Sequence, residues 1–152
     1  ASDAQWRERA LALSMRTFEL SWFLAHRAPL TNSSSAFEGS VAWHDSCHGL
    51  RDLGLGKEGR LLLSLVKGLR LVELPNADDC CGFGGTFAVK HPELSVAIAD
   101  RKIEEIARSG VDVVTGGDTS CLMHLGTRLS AIGSKVRAVH FAELLAGEEA
   151  SR

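Results

Sequence analysis

The sequence lacks the segments that would place it in a membrane or an export pathway. No apolar run approaches the roughly 20 residues needed to span a bilayer. The longest, "RLLLSLV" at Arg60–Val66, has the size of a core element. No basic stretch followed by an apolar core stands at the N-terminus, so no signal peptide is expected. The expected location is the cytoplasm, with no transmembrane segment. An excess of positive charge is also missing. Seventeen Lys and Arg against 19 Asp and Glu leave a net charge of −2, which points neither to nucleic acid nor to an anionic membrane. Cysteine is scarce: the four residues are too few and too oddly spaced for the disulfide framework of a secreted domain. Two of them are adjacent, and neighbouring Cα atoms about 3.8 Å apart are too close for an unstrained disulfide. Nucleotide motifs are absent as well. "GFGGTF" at Gly82–Phe87 departs from G-x-G-x-x-G, no Walker lysine follows it, and no flavin or nicotinamide motif occurs.

What is present is an ordinary globular balance, 45% hydrophobic and 24% charged over 152 residues, enough for one domain with a sizeable core. Apolar residues from Trp6 to Phe23, with Arg and Glu between them, predict one helix over residues 3–26, capped by Ser2 or Asp3. "RAPLTNSSSAFEGS", Arg27–Ser40, reads as a loop. Strands and helices then alternate. "SVAWHDS" is a strand running into a turn, and "KEGRLLLSLVKG" a helix with Gly68 as its C-cap. "LRLVELP" is a strand, followed by the cysteine–glycine loop "DDCCGFGGTF". "HPELSVAIADRKIEEIARSG" is an amphipathic helix with Pro92 in its first turn, Ile98, Ile103 and Ile106 inward, and Gly110 past its end. "VDVVTGG" is a strand, "TSCLMHLGTRLSAIG" a helix capped by Thr119 or Ser120, "KVRAVHF" a strand and "FAELLAG" a short last helix. The fold class expected is α/β: a small parallel sheet of about four strands, helices on both faces, plus an N-terminal helix. Residues 1–30 form the N-terminal helix and linker, residues 40–148 the cysteine-rich α/β domain, and no internal repeat is visible.

On this plan each cysteine falls just past the carboxyl end of a strand: Cys47 after the first, Cys80 and Cys81 after the second, Cys121 after the third. His140 closes the fourth. Ligands bind along that edge of an open parallel sheet. Four thiols from three loops on one rim favour metal or redox chemistry over inert packing. Gly82, Gly84 and Gly85 permit positive φ and close backbone approach, which gives room to a bulky cofactor and lets N–H groups point at sulfurs. A tight turn alone would account for one or two of these glycines. His124 sits three residues after Cys121, so both can share a helix face and point at one metal. His44 reads as a half-buried strand residue and His48 as a solvated loop residue.

The wording "HDSCH", "CCGFGGTFAVKHPELS", "SCLMH" and "VHFAELL" resembles the cysteine-rich CCG domain family, found in the heterodisulfide reductase B subunit, the glycolate oxidase iron–sulfur subunit and the lactate-utilisation iron–sulfur proteins. "CCGFGGTF" with "SCLMH" most resembles the A-component type of the last group, and the likeness covers nearly the whole chain. The resemblance implies that Cys47, Cys80, Cys81 and Cys121 hold an iron–sulfur cluster, or in some units zinc. It further implies that the protein serves electron transfer from oxidation of L-lactate or a related 2-hydroxy acid, beside other subunits of that complex. Such proteins carry two cysteine-rich units in tandem. This chain begins at Ala1 and matches the second, so it is expected to be the C-terminal portion of a longer protein, lacking the N-terminal unit. The family pattern ends in C-x-x-C, whereas this chain reads Cys121-Leu-Met-His124, so a five-thiolate site cannot be built. Four thiolates suit a [4Fe–4S] cluster, and Cys₄ or Cys₃His suits zinc. The alternative functions are a structural zinc domain of the same complex and thiol–disulfide chemistry at Cys80 and Cys81.

Overall fold

Buried residues on both faces mark the centre of a parallel sheet, and two short segments meet that condition. In the computed structural model, which describes residues 3–147, β1 (Ala36–Trp43) is buried from Ser40 to Trp43, and β3 (Val113–Gly116) is buried throughout. They lie side by side, Val41 opposite Val113. β2 (Lys67–Val72) flanks β1 and β4 (Arg137–His140) flanks β3, giving the order β2-β1-β3-β4 with every pair parallel.

Successive residues of β1 point to opposite faces, and each face has its own core. Ala42 packs with Val114, Ile103, Ile106, Leu125 and Leu129. These helical residues belong to α5 (Pro92–Ser109) and α6 (Thr119–Ala131). Val41 and Trp43 pack with Leu62, Leu63, Val139, Phe141 and Leu144 on the other face. There α3 (Glu58–Leu63) and α7 (Phe141–Ala146) supply the cover. The sheet is thus covered by helices on both faces, as the alternation requires. Cys81 and Cys121 belong to the α5–α6 core, so that packing also positions two of the thiols.

The N-terminal region departs from a single helix. It forms α1 (Ala4–Ser14) and α2 (Leu20–His26), with residues 15–19 between them. Glu19 stops propagation because its carboxylate caps α2, accepting from Trp22 N at 3.0 Å and from the Ser21 hydroxyl. Asp3 caps α1 through Gln5 N and Trp6 N, while Ser2 lies outside the described residues. α1 buries no residue; its apolar side chains are spread around the helix and do not form one stripe.

Other boundaries shift for local reasons. β1 begins at Ala36, inside the stretch expected to be loop. α3 ends at Leu63, and Gly68, expected as its C-cap, is in β2 with φ +80. Its positive φ is what calls for glycine there, since the nearest atoms to an added Cβ belong to the Glu38 carboxylate, which can move aside. Asp118 caps α6, in place of Thr119 or Ser120. Pro92 opens α5 and Gly110 closes it in the left-handed region, both as expected, while Ile98 is only half-buried. A π-helical turn, His48–Asp52, follows Cys47, and a short helix α4 (Thr86–Lys90) follows the glycines. Among the described residues no helix is long and apolar enough to cross a membrane.

Candidate metal centre

The carboxyl ends of β1 and β3 meet at mid-sheet, where their connections diverge to opposite sides. That divergence opens a crevice in sheets of this kind. His44 is the first residue past β1. Its N–H donates to Thr115 O at 2.7 Å, and a Cβ on the adjacent Gly116 would lie 2.9 Å from His44 O. The backbone of His44 is therefore clamped against β3, and the residue is 2% exposed. Cys121 stands in the first turn of α6, where the Asp118 carboxylate accepts from Ser120 N at 3.0 Å and Cys121 N at 3.2 Å.

Cys81 arrives on the loop after β2, and α5 holds that loop. The buried Lys102 donates to Asn76 O and pairs with Glu105 at 3.0 Å, and Glu105 also accepts from Asn76 N. Ser95 Oγ donates to Gly82 O at 2.8 Å. Gly82, Gly84 and Gly85 all have positive φ. At Gly82 a Cβ would be only 2.4 Å from Ser95 O, so glycine alone lets the loop close on α5.

These elements converge on one group. His44, Cys81 and Cys121 are all buried, and each offers a ligand atom within 4.8 Å of the others. The two sulfurs lie 2.9 Å apart, close enough to share a proton. The Cys81 thiol is held well below the ordinary thiol range, first by its hydrogen bond with Cys121. Burial opposes that shift, while the His44 imidazole and the Phe83 N–H reinforce it. Cys121 moves the other way, raised by the same hydrogen bond and by burial. One proton between two sulfurs favours one thiolate, the form that binds metal.

The outer thiols adjoin this group. Cys47 is half-buried and Cys80 exposed. Burial pushes the Cys47 thiol up, the neighbouring Cys80 and Cys81 sulfurs add to that, and Arg51 opposes it. Cys47 also contributes to the rise at Cys121, so it is linked electrostatically to the inner pair. Gly82 N donates to Cys80 Sγ at 3.3 Å, a backbone N–H aimed at sulfur.

The histidines separate. His124 lies apart from the group. Its Nε2 is 3.2 Å from Ser95 Oγ and its ring packs against Phe83, 6.0 Å between centroids. Ser95 gives its one proton to Gly82 O, so Nε2 is the donor to Ser95. His48 pairs with Asp52 in solvent, and His140 caps α7. His44, expected to be a half-buried strand residue, is instead buried beside two thiols, with neither ring nitrogen hydrogen-bonded. The available signal was its place just past a strand whose last four residues are buried, on the rim that carries the cysteines.

Thiolate sulfur and imidazole nitrogen are ligands for zinc and for iron–sulfur clusters. The orphaned imidazole beside a shared-proton thiol pair fits such a group: the polar atoms lack protein partners where a metal would supply one. A cavity of about 240 Å³ adjoins the crevice, bounded by Trp43, His44, Leu50, Leu53, Gly117 and Ser120.

A family model described as a cysteine-rich domain (CCG) matches residues 41–126, more than half of the chain, and takes in His44 and all four cysteines. Lactate utilization protein A of Bacillus cytotoxicus is 40% identical over 143 residues, covering 94% of this chain and 60% of its own length. The protein of that name from an Exiguobacterium species is 43% identical over 143 residues, covering 94% and 58%. That of Halalkalibacterium halodurans is 41% identical over 147 residues, covering 97% and 60%. The chain spans about three fifths of the length of the curated relatives it matches. By its matched segment and the buried thiols within it, the chain belongs to the CCG cysteine-rich domain family.

Proposed function

We propose that this chain supplies an iron–sulfur centre to a lactate-utilisation system, carrying electrons from the oxidation of L-lactate or a related 2-hydroxy acid. The observation that carries the reading is the buried His44–Cys81–Cys121 group at the carboxyl edge of the sheet, next to Cys47 and Cys80. Cys47, Cys80, Cys81 and Cys121 are the ligands in this reading. A bound cluster would supply one-electron transfer there. The chain's own part is to hold the inner sulfurs in the core, keep water from them, and aim Gly82 N–H at Cys80, since backbone N–H bonds to sulfur tune such centres. Substrate oxidation is assigned to another domain or subunit, because no flavin or nicotinamide motif occurs in this chain. Its partners are the other subunits of the 2-hydroxy-acid oxidation complex and a second cysteine-rich unit in the part of the relatives' length that this chain does not match.

A second reading is a structural zinc domain of the same complex. The same orphaned imidazole favours it, because two inner thiols, one imidazole and one outer thiol make a Cys₃His set. Thiol–disulfide exchange at Cys80 and Cys81 has less support, since Cys81 is 3% exposed and its sulfur is engaged with Cys121. The test is metal and sulfide analysis with EPR on full-length protein purified without oxygen. Iron and sulfide, with an EPR signal on reduction or oxidation, are expected. Zinc at one per chain with no iron above background overturns the iron–sulfur reading in favour of the second.

A further inference from the structure

We propose that His44 binds the metal centre directly through a ring nitrogen, and that His124 does not. The inference rests on the reading of this site as a metal centre and names a ligand outside the cysteine set.

Four observations carry it. First, His44 is 2% exposed and both of its ring nitrogens lack a hydrogen-bond partner; among the described residues no other buried side-chain nitrogen or oxygen does. Even Lys102, equally buried, has two partners. Leaving a buried polar atom unpaired costs about 1–3 kcal/mol, so the exception calls for a missing partner. Second, the imidazole lies within 4.8 Å of both the Cys81 and Cys121 sulfurs, close enough for one ion to touch all three ligand atoms. Third, the backbone holds the ring in place. His44 N is tied to Thr115 O, Asp45 N donates to Ala77 O at 3.0 Å, and Gly116 leaves no slack. Fourth, the competing histidine is outside the group of three and its Nε2 is engaged elsewhere. His124 donates to Ser95, which in turn holds Gly82, so its ring supports the cysteine loop.

A neutral imidazole beside the four thiolates adds a ligand without adding the negative charge that a fifth thiolate would bring. Nitrogen ligation of this kind raises the potential of an iron–sulfur centre.

The experiment uses full-length protein, reconstituted anaerobically with iron and sulfide and read by metal content and by hyperfine spectroscopy. Samples are grown with natural-abundance or ¹⁵N-labelled histidine, in wild type, His44→Ala, His44→Cys and His124→Ala. The expected result is a nitrogen coupling that changes with the histidine isotope, persists in His124→Ala and disappears in His44→Ala. His44→Ala should also bind metal more weakly by more than the roughly 10–100-fold typical of losing an outer partner. His44→Cys should recover metal content and lower the potential. An iron-loaded wild type without histidine coupling, or a coupling that survives His44→Ala, overturns the proposal while the iron–sulfur reading stands. If His44→Ala does not fold, the isotope comparison between wild type and His124→Ala still decides: coupling in both supports it, and loss in His124→Ala overturns it. If only zinc loads, the iron–sulfur reading fails, and cobalt(II) in its place tests His44. Absorption bands altered by His44→Ala but not by His124→Ala support the ligand; unaltered bands overturn it. Uptake of neither metal overturns both.

Discussion

The four thiols divide into an inner and an outer pair that are held by different means. Cys81 and Cys121 are 3% and 8% exposed and share a core with Ile106 and Leu125. Cys47 is half-buried at the start of the π-helical turn, and Cys80 faces solvent on a loop. The inner pair is placed by the packing that stabilises the fold, so its geometry exists before any metal arrives. The outer pair has no comparable packing and is free to adjust. A site built this way has a rigid floor and an adaptable rim. Its inner residues should matter to the metal-free protein and its outer residues to the metal-bound protein alone.

The strongest test of that division is the close approach beneath the inner pair. Gly82→Ala forces a Cβ to within 2.4 Å of Ser95 O at φ +88. It should destabilise the metal-free protein by about 2–4 kcal/mol, measured by urea denaturation. Next in size is Cys121→Ser, which buries a hydroxyl where the core holds a sulfur. A loss of about 1–3 kcal/mol without metal is expected, and an unchanged melting temperature would break the distinction between the pairs.

A comparison across the sheet comes third. Glu58, buried at the start of α3, has its carboxyl lowered to about 2 from an ordinary 4.5. Burial alone would raise it. Hydrogen bonds from His26, from its own N–H and from the N–H groups of Gly56 and Lys57 outweigh that. A depressed carboxyl stabilises the fold fully above its unfolded value near 4.5, and the contribution fades as pH falls toward 2. Glu58→Gln should cost about 1–2 kcal/mol at pH 7, with the gap to wild type closing by about pH 2 in pH-resolved denaturation. It should leave metal content alone, since Glu58 is not in the thiol group.

Smaller effects follow. His124→Ala removes the donor to Ser95 and should cost about 0.5–1.5 kcal/mol, with metal content retained. Cys47→Ser and Cys80→Ser should change metal-free stability by no more than about 0.5 kcal/mol yet lower metal content sharply. Equal effects of all four cysteine substitutions on the metal-free protein would show that the floor and the rim do not differ.

The sequence made the plan of the sheet legible because alternation of short buried strands with helices admits few topologies, and Pro92 and Gly110 mark helix ends by backbone chemistry alone. The rim followed once each cysteine was placed after a strand. Division of the thiols into inner and outer pairs was not legible. Adjacent Cys80 and Cys81 look alike in sequence and differ only in which one faces the α5–α6 core. His44 was missed because a histidine at a strand end usually has a partner, and the absence of one appears only when its surroundings are assembled. The break between α1 and α2 and the cap on α6 depend on Glu19 and Asp118 reaching particular N–H groups. That is a choice of rotamer, and composition carries no trace of it.

The central claim, that this rim holds an iron–sulfur centre, is tested most directly by iron and sulfide per chain in full-length wild type and Cys81→Ser, both purified without oxygen. The account predicts iron and sulfide in wild type and a clear loss of both in Cys81→Ser. Equal iron in the two proteins, or zinc with no iron in wild type, would contradict it.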